Sequence, residues 1–188
     1  MVILNRRAFI RVLRYVGSFG RPGPDLSWIT NLLGVSGTLH PRHIAELASM
    51  GVRSIIDLRE EDRDDSELLA QYGIRFLHLP SRDHCSPSQS QLLEGAWWVR
   101  EEMQARQRTV VHCKEGIGRS VAVVCCALML GGYIPAEAVH LVRSKRWGFA
   151  LNASQMSAIM EFARRMPGEG PLLPDGAVGP ALLDTLPS

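Results

Sequence analysis

Short runs of β-branched and aliphatic residues alternate along the chain with longer stretches whose apolar positions recur every three or four residues. The short runs predict strands at residues 52–58, 74–79 and 108–112, and residues 32–38 form a candidate edge strand. The longer stretches predict helices at residues 41–50, 62–72, 88–106, 119–132, 135–146 and 153–166. Because such alternation is typical of parallel sheets, we predict an α/β fold: a mainly parallel central sheet of four to five strands with helices on both faces.

The middle of the chain differs in composition from both ends. With 188 residues, of which 46% are hydrophobic, the chain is long enough for one sizeable core, which we assign to a domain of residues 25–166. Residues 167–188 contain five prolines and four glycines, which predicts a flexible tail. Residues 1–24 contain five arginines and no acidic residue, so without those five charges the formal net charge of +2 becomes −3.

This N-terminal segment has the pattern of a basic amphipathic helix. One face carries Arg7, Arg11 and Arg14, and another carries Phe9, Val12, Leu13 and Val16. The favoured interpretation is that the apolar face packs on the domain. Two alternatives stay open: peripheral contact of residues 1–20 with an anionic membrane surface, and an organellar targeting segment.

Composition also excludes several classes of protein. The longest apolar run, residues 121–130, is far shorter than the roughly 20 residues that a bilayer span requires. No secretory pattern precedes the domain, and the four cysteines lack paired spacing, so we predict a cytoplasmic protein. We expect no bound metal, since no metal-ligand spacing is present, and no nucleic-acid partner, since the basic charge is local to one end.

The most informative motif lies between the predicted strand 108–112 and the helix that follows, where residues 112–120 read His-Cys-Lys-Glu-Gly-Ile-Gly-Arg-Ser. A loop this short must turn tightly, which directs its backbone N–H groups at one point. Gly116 and Gly118 allow the backbone angles that such a turn needs. The motif therefore predicts a site for a tetrahedral oxyanion such as phosphate. The residues expected to line it are Lys114, Glu115, Gly116, Ile117, Gly118 and Arg119.

Three side chains give this predicted site its chemistry. Cys113 lies at its base, where the loop amides, the helix dipole and the arginine all favour a thiolate nucleophile. Arg119 provides two parallel donors to two phosphate oxygens, a geometry that lysine lacks. Ser120 can hydrogen-bond the sulfur and help it leave. Together they predict phosphate transfer to a cysteine.

These residues resemble the cysteine-dependent protein tyrosine phosphatase superfamily, whose signature is His-Cys, five residues, Arg, then Ser or Thr. Every position of that signature is filled here, from the supporting His112 to Ser120. A rhodanese-like sulfur transferase is an alternative, although its loop usually has four residues before the arginine. The resemblance implies a dual-specificity phosphatase-like fold and hydrolysis of phosphomonoesters through a cysteinyl-phosphate intermediate, with no metal or organic cofactor.

The general acid is expected on a separate loop. Asp83 follows the predicted strand 74–79, and the carboxyl ends of parallel strands share one crevice, so Asp83 can converge with Cys113. The segment from Asp83 to Pro87, followed by a helix with Gln91, resembles the acid loop of the small atypical dual-specificity phosphatases. Relatives often carry Pro immediately before this aspartate, whereas this chain carries Ser81-Arg82.

The same resemblance is colinear from about residue 26 to residue 165 and reaches two amides near the C-terminus. It implies that Asn152 and Gln155 support the active-site loop or position water. The alternatives are a helix N-cap for Asn152 and a solvent-exposed side chain for Gln155.

Substrate class is less clearly marked. The chain has no obvious insertion to build a deep wall around a phosphotyrosine ring, so phosphoserine and phosphothreonine can also enter. Lys114 resembles the added cation of phosphoinositide and phosphatidylglycerophosphate phosphatases, but Glu115 offsets its charge. We favour a phosphoprotein partner over an anionic phospholipid or inositol phosphate. A non-catalytic phosphate-binding module is a further alternative, which the intact Cys113 and Arg119 disfavour.

Overall fold

The structure is a computed structural model that describes residues 23–166. Nearly all of the predicted basic segment, at residues 1–22, and the predicted tail, at residues 167–188, lie outside the described residues. The membrane or targeting role of the segment and the flexibility of the tail therefore stay predictions. Five strands are described: β1 (Leu26–Trp28), β2 (Leu33–Ser36), β3 (Val52–Arg59), β4 (Arg75–Ser81) and β5 (Arg108–His112). Six α-helices accompany them: α1 (Ile44–Ser49), α2 (Ser66–Gln71), α3 (Gln89–Gln104), α4 (Arg119–Leu130), α5 (Pro135–Lys145) and α6 (Ala153–Arg165).

The strands form one sheet in the order β1-β2-β5-β3-β4. β2, β5, β3 and β4 are parallel to one another, and β1 pairs antiparallel with β2. The mainly parallel α/β fold is confirmed, but the prediction that residues 32–38 form an edge strand is wrong. β2 lies inside the sheet because Leu26 pairs with Ser36 and Trp28 with Gly34. A strand of three residues is too short to give a pattern of its own.

Helices cover both faces of the sheet. On one face, Ile55 of β3 and Val110 of β5 pack with apolar residues of α1 and α2. On the other, their neighbours Ile56 and Val111 pack with α3, α4, α5 and α6. Adjacent residues of a strand point to opposite faces, so two buried surfaces explain why these strands are apolar at consecutive positions.

The second helix is shorter than the predicted 62–72. It begins at Ser66 because Asp65 caps it, accepting hydrogen bonds from the N–H groups of Glu67 at 2.9 Å and Leu68 at 3.0 Å. The preceding acidic residues are not helical, since Asp62 and Asp64 pair with the buried guanidinium of Arg59. Charge pairing therefore overrides the helical pattern in this segment.

The parallel arrangement brings three loops to the same edge of the sheet. β3 ends at Arg59, β4 at Ser81 and β5 at His112, and these ends lie side by side in the order β5-β3-β4. α4 begins at Arg119, directly beneath this edge, and all of its residues except Met129 are buried. The loops after the three strands can therefore contribute to one site.

No helix among residues 23–166 combines the length and the hydropathy that crossing a bilayer requires.

α3 packs closely against α4 at Gly95. A Cβ atom at Gly95 would lie 2.8 Å from Cγ1 of Val123 and 3.1 Å from Cδ1 of Leu79. Replacing a helical glycine by alanine ordinarily stabilises by about 1 kcal/mol, but overpacking costs about 1–3 kcal/mol. We expect Gly95→Ala to lower the free energy of unfolding, measured by urea denaturation, by about 1 kcal/mol. Glu94→Ala, at an exposed position of the same helix, is the control and should change it by less than about 0.5 kcal/mol. A stabilised Gly95→Ala variant would contradict this packing.

Candidate active site

The loop between β5 and α4, residues 113–118, wraps around the sulfur of Cys113; we call it the anion loop. The thiol is 3% exposed, and Sγ accepts a hydrogen bond from the N–H of Gly116 at 3.2 Å. The hydroxyl of Ser120, in the first turn of α4, lies 3.3 Å from the same sulfur. A loop N–H and the Ser120 hydroxyl thus meet at the sulfur of Cys113.

Different constraints favour glycine at the two glycine positions of the anion loop. Gly116 has a φ of +67°, and a Cβ there would collide with the carbonyl oxygen of Ser36 and lie 2.5 Å from Nη2 of Arg146. Gly118 has an ordinary φ of −128°. It is small because a Cβ would lie 2.8 Å from Nε2 of Gln155. The prediction of a special φ is confirmed for Gly116, whereas Gly118 has a φ/ψ pair of −128° and −85° that is neither helical nor extended.

Arg146, immediately after α5, supports the outer side of the anion loop. Its guanidinium is 1% exposed and donates to the carbonyl oxygens of Gly116 at 2.8 Å and Glu115 at 3.1 Å. It also forms a two-pronged ion pair with Asp25, at 2.9 Å for each bond. Burial lowers the pKa of Arg146 to about 10, so it stays charged at neutral pH. By holding these carbonyls, Arg146 fixes the turn in which the N–H of Gly116 points at the sulfur.

Arg119 is the buried centre of the site. Its guanidinium, 1% exposed, donates to the carbonyl oxygen of Ser81 at 2.7 Å and to Oδ1 of Asp83 at 2.9 Å. Glu61, in the loop after β3, takes two further bonds at 2.8 and 2.9 Å. The hydrogen bond from Arg119 lowers the pKa of Glu61 to about 2. Arg119 therefore joins the loops that follow β3 and β4 to the start of α4.

Asp83 lies in the segment 82–87 between β4 and α3, which we call the acid loop. Its carboxylate is 38% exposed, and Oδ1 also accepts the N–H of His84 at 3.0 Å. Two amides from the start of α6 bind the loop beyond it. Asn152 Nδ2 donates to the carbonyl oxygen of His84 at 2.7 Å, and Gln155 Nε2 donates to that of Cys85 at 3.1 Å. The structure thus brings Asn152 and Gln155 to the site, and it also makes Asn152 the N-cap of α6.

A second group of ionisable side chains lies behind the anion loop. His112 is fully buried, with Nε2 2.9 Å from Oδ2 of Asp64 and 3.6 Å from Oδ1 of Asp57. Asp57 also holds Arg59 through bonds of 2.8 and 3.0 Å. Asp57, Asp64 and His112 are the group that could hold a metal ion within residues 23–166. Both carboxylates already pair with Arg59, so the cluster has its own cation.

A cleft of about 400 Å³ lies between the anion loop, the acid loop and the start of α6. Predicted residues that line it are Asp83, Cys113, Lys114, Glu115, Ile117, Gly118, Arg119, Asn152 and Gln155. His112, Gly116 and Ser120 lie behind this lining and support it. Sequence reasoning missed Glu61, Arg146 and Asp25. Glu61 follows a strand end at the shared crevice, which was a usable signal, whereas nothing local distinguishes Arg146 from the exposed Arg143 and Lys145.

Comparison with known proteins gives a consistent set of matches. A family model described as "Polymorphic toxin system, DSP-PTPase phosphatase" matches residues 35–133. The chain is 32% identical over 126 residues to the phosphatidylglycerophosphate phosphatase PTPMT1 of Arabidopsis thaliana. This alignment covers 65% of this chain but only 37% of that protein. It is 32% identical over 139 residues to the protein tyrosine phosphatase PRL-1 of Leishmania major, covering 69% of this chain and 78% of that one. The crystal structure of Tk-PTP in the active form superposes with a TM-score of 0.71 and 29% identity, over 76% of this chain and 99% of that one.

The contacts of Arg146 generate a stability prediction. Arg146→Met removes the two-pronged ion pair with Asp25 and two donors to the anion loop. Breaking a buried ion pair costs about 3–5 kcal/mol, and because Asp25 is 40% exposed we expect the lower end, about 3 kcal/mol. The measurement is chemical denaturation, with Arg143→Met, which changes an exposed arginine in the last turn of α5, as the control. Equal effects of the two substitutions would show that Arg146 does not hold the loop.

Proposed function

The chain belongs to the DSP-PTPase phosphatase family, and we propose that it hydrolyses phosphate monoesters with Cys113 as the nucleophile. One observation carries this proposal: the sulfur of Cys113, bound by a loop N–H, and the ion pair of Arg119 with Asp83 at 2.9 Å face the same cleft. A nucleophile, a bidentate oxyanion donor and an acid are the groups that the reaction needs.

Phosphate binding starts at the anion loop. The loop N–H groups and Arg119 bind the non-bridging oxygens of the phosphate, which carry the charge of the transition state. The incoming dianion competes with Asp83 for Nη2 of Arg119. Asp83 is partly exposed and turns away towards the leaving oxygen, whereas Glu61 keeps its two bonds and holds the guanidinium in place.

Two displacements at phosphorus complete the reaction. In the first, the thiolate of Cys113 forms a bond to phosphorus, the bond to the leaving oxygen breaks, and protonated Asp83 donates its proton to that oxygen. In the second, water attacks phosphorus while Asp83 accepts a proton from it. The bond between sulfur and phosphorus breaks, Ser120 donates a hydrogen bond to the departing thiolate, and inorganic phosphate is released.

Phosphoproteins are the proposed substrates, and anionic phospholipids or inositol phosphates are the second candidate. The upper cleft is lined by Ile117, Ala150 and Leu151, which suits the apolar part of a phosphorylated side chain. Lys114 and Glu115 stand on the rim with opposite charges, so the rim has no excess of cations for a second phosphate. The observation that favours a lipid is Lys114 itself, exposed next to the nucleophile.

Substitutions of the nucleophile and the arginine test the reaction. Cys113→Ser should abolish hydrolysis of p-nitrophenyl phosphate, because a hydroxyl is not ionised in this loop. Arg119→Lys should lower kcat/KM at least about 100-fold, since it keeps the charge but loses the paired donors. Arg143→Lys, the same exchange on the surface of α5, should have no effect.

Thermal unfolding of each variant shows whether the fold survives. Persistent turnover by a folded Cys113→Ser variant would overturn the proposed nucleophile. Tight vanadate binding by a wild-type protein that turns over no substrate would instead identify a phosphate-binding module.

A substrate panel separates the two substrate classes. We expect higher kcat/KM for phosphotyrosyl and phosphothreonyl peptides than for phosphatidylglycerophosphate or phosphoinositides in vesicles. Lys114→Ala should change the peptide values less than about threefold, because a surface charge pair contributes about 0–1 kcal/mol. The control is Arg143→Ala, which lies outside the cleft lining. A preference for the lipids, lost selectively in Lys114→Ala, would favour the second candidate.

A further inference from the structure

The acid loop contains a residue in an unfavourable backbone conformation directly after Asp83. His84 has a φ of 61°, in the left-handed region that residues with a side chain avoid at a cost of about 1–2 kcal/mol. Such a conformation persists only where surrounding contacts determine it. One contact lies within the loop, where the N–H of Cys85 donates to the carbonyl oxygen of Arg82 at 3.1 Å, and two more come from the first turn of α6.

Asn152 uses its two amide atoms for different purposes. Oδ1 accepts hydrogen bonds from the N–H of Gln155 at 2.9 Å and the hydroxyl of Ser154 at 2.8 Å, which caps the helix. Nδ2 donates to the carbonyl oxygen of His84 at 2.7 Å. The partners fix this orientation of the amide, because a backbone N–H requires an acceptor and a carbonyl oxygen requires a donor.

Gln155 divides its amide in the same way. Oε1 accepts the N–H of Asn152 at 3.1 Å, and Nε2 donates to the carbonyl oxygen of Cys85 at 3.1 Å. The side chain is 3% exposed and packs against Gly118 of the anion loop, where a Cβ would lie 2.8 Å from Nε2. The first turn of α6 therefore touches both the acid loop and the anion loop.

Capping alone does not account for an asparagine at this position. Serine, aspartate and asparagine cap helices about equally well, and what asparagine adds is the side-chain N–H₂ group. We propose that Asn152 is a positioning residue for Asp83: its bond to His84 holds the acid loop in the turn that places the carboxyl group over the anion loop, with Gln155 holding the next residue. This inference rests on the proposed function and assigns these amides to the acid loop.

Asn152→Ser tests the proposal, since serine keeps the cap but its short hydroxyl does not reach His84. The substrates are a series of aryl phosphates whose leaving phenols range from strongly to weakly acidic. Good leaving groups need no proton from Asp83, whereas poor ones depend on it. We expect kcat/KM of the full-length variant to fall about tenfold or more for the poorest leaving group, with little change for the best one.

Two reference variants accompany it. Asp83→Asn should show the same dependence on the leaving group with a larger amplitude. Asp65→Ser exchanges the N-cap of α2, which faces neither loop, and should leave the whole series unchanged. Inhibition by vanadate should be the same in wild type and Asn152→Ser, because the anion loop keeps its own contacts.

The outcomes are distinct. A loss of activity that is equal for all leaving groups, or no loss at all, would overturn the positioning role while leaving the proposed function intact. A wild-type protein that hydrolyses none of the aryl phosphates would overturn the proposed function, and this inference with it. A thermal midpoint close to that of wild type in Asn152→Ser would show that the cap is preserved.

Discussion

The buried guanidinium of Arg119 is the interaction on which the site depends. Removing a charge of this size from water is costly unless partners of opposite charge and good geometry surround it. Those partners come from two neighbouring strand ends: Glu61 follows β3, Ser81 is the last residue of β4, and Asp83 follows it. Satisfying one buried charge therefore requires the loops at the carboxyl edge of the sheet to close around the start of α4.

A second buried guanidinium, that of Arg146, shapes the anion loop from the opposite side. It binds carbonyl oxygens of the loop, and Asp25 neutralises it. The peptide units whose carbonyl groups turn outward to Arg146 leave the N–H of Gly116 pointing at the sulfur. The loop thus lies between two arginines that have different functions, one facing the cleft and the other fixing the backbone.

The first turn of α6 connects this rigid centre to the acid loop. Its two amides cap the helix with their oxygens and bind the acid loop with their nitrogens. In the proposed reaction, Asp83 needs both a fixed loop and a mobile side chain, since it alternates between Arg119 and the reacting oxygen. Holding the backbone at His84 and Cys85 while leaving the carboxylate partly exposed provides that combination.

The pattern of apolar positions in the sequence was enough to predict the strands and helices that pack an apolar face on the core. The reason is that the spacing of those positions follows from the geometry of each element. The sequence also indicated a tight loop within residues 112–120, since a short connection between a strand and a helix has few conformations. Tertiary structure decided which of several similar residues matter: Glu61 rather than Glu60, and Arg146 rather than Arg143 or Lys145. It also placed β2 inside the sheet and set the start of α2 at Ser66 instead of the predicted residue 62. The reason is that partners such as Asp25 and Arg146 are more than a hundred residues apart, so only the folded chain brings their charges together.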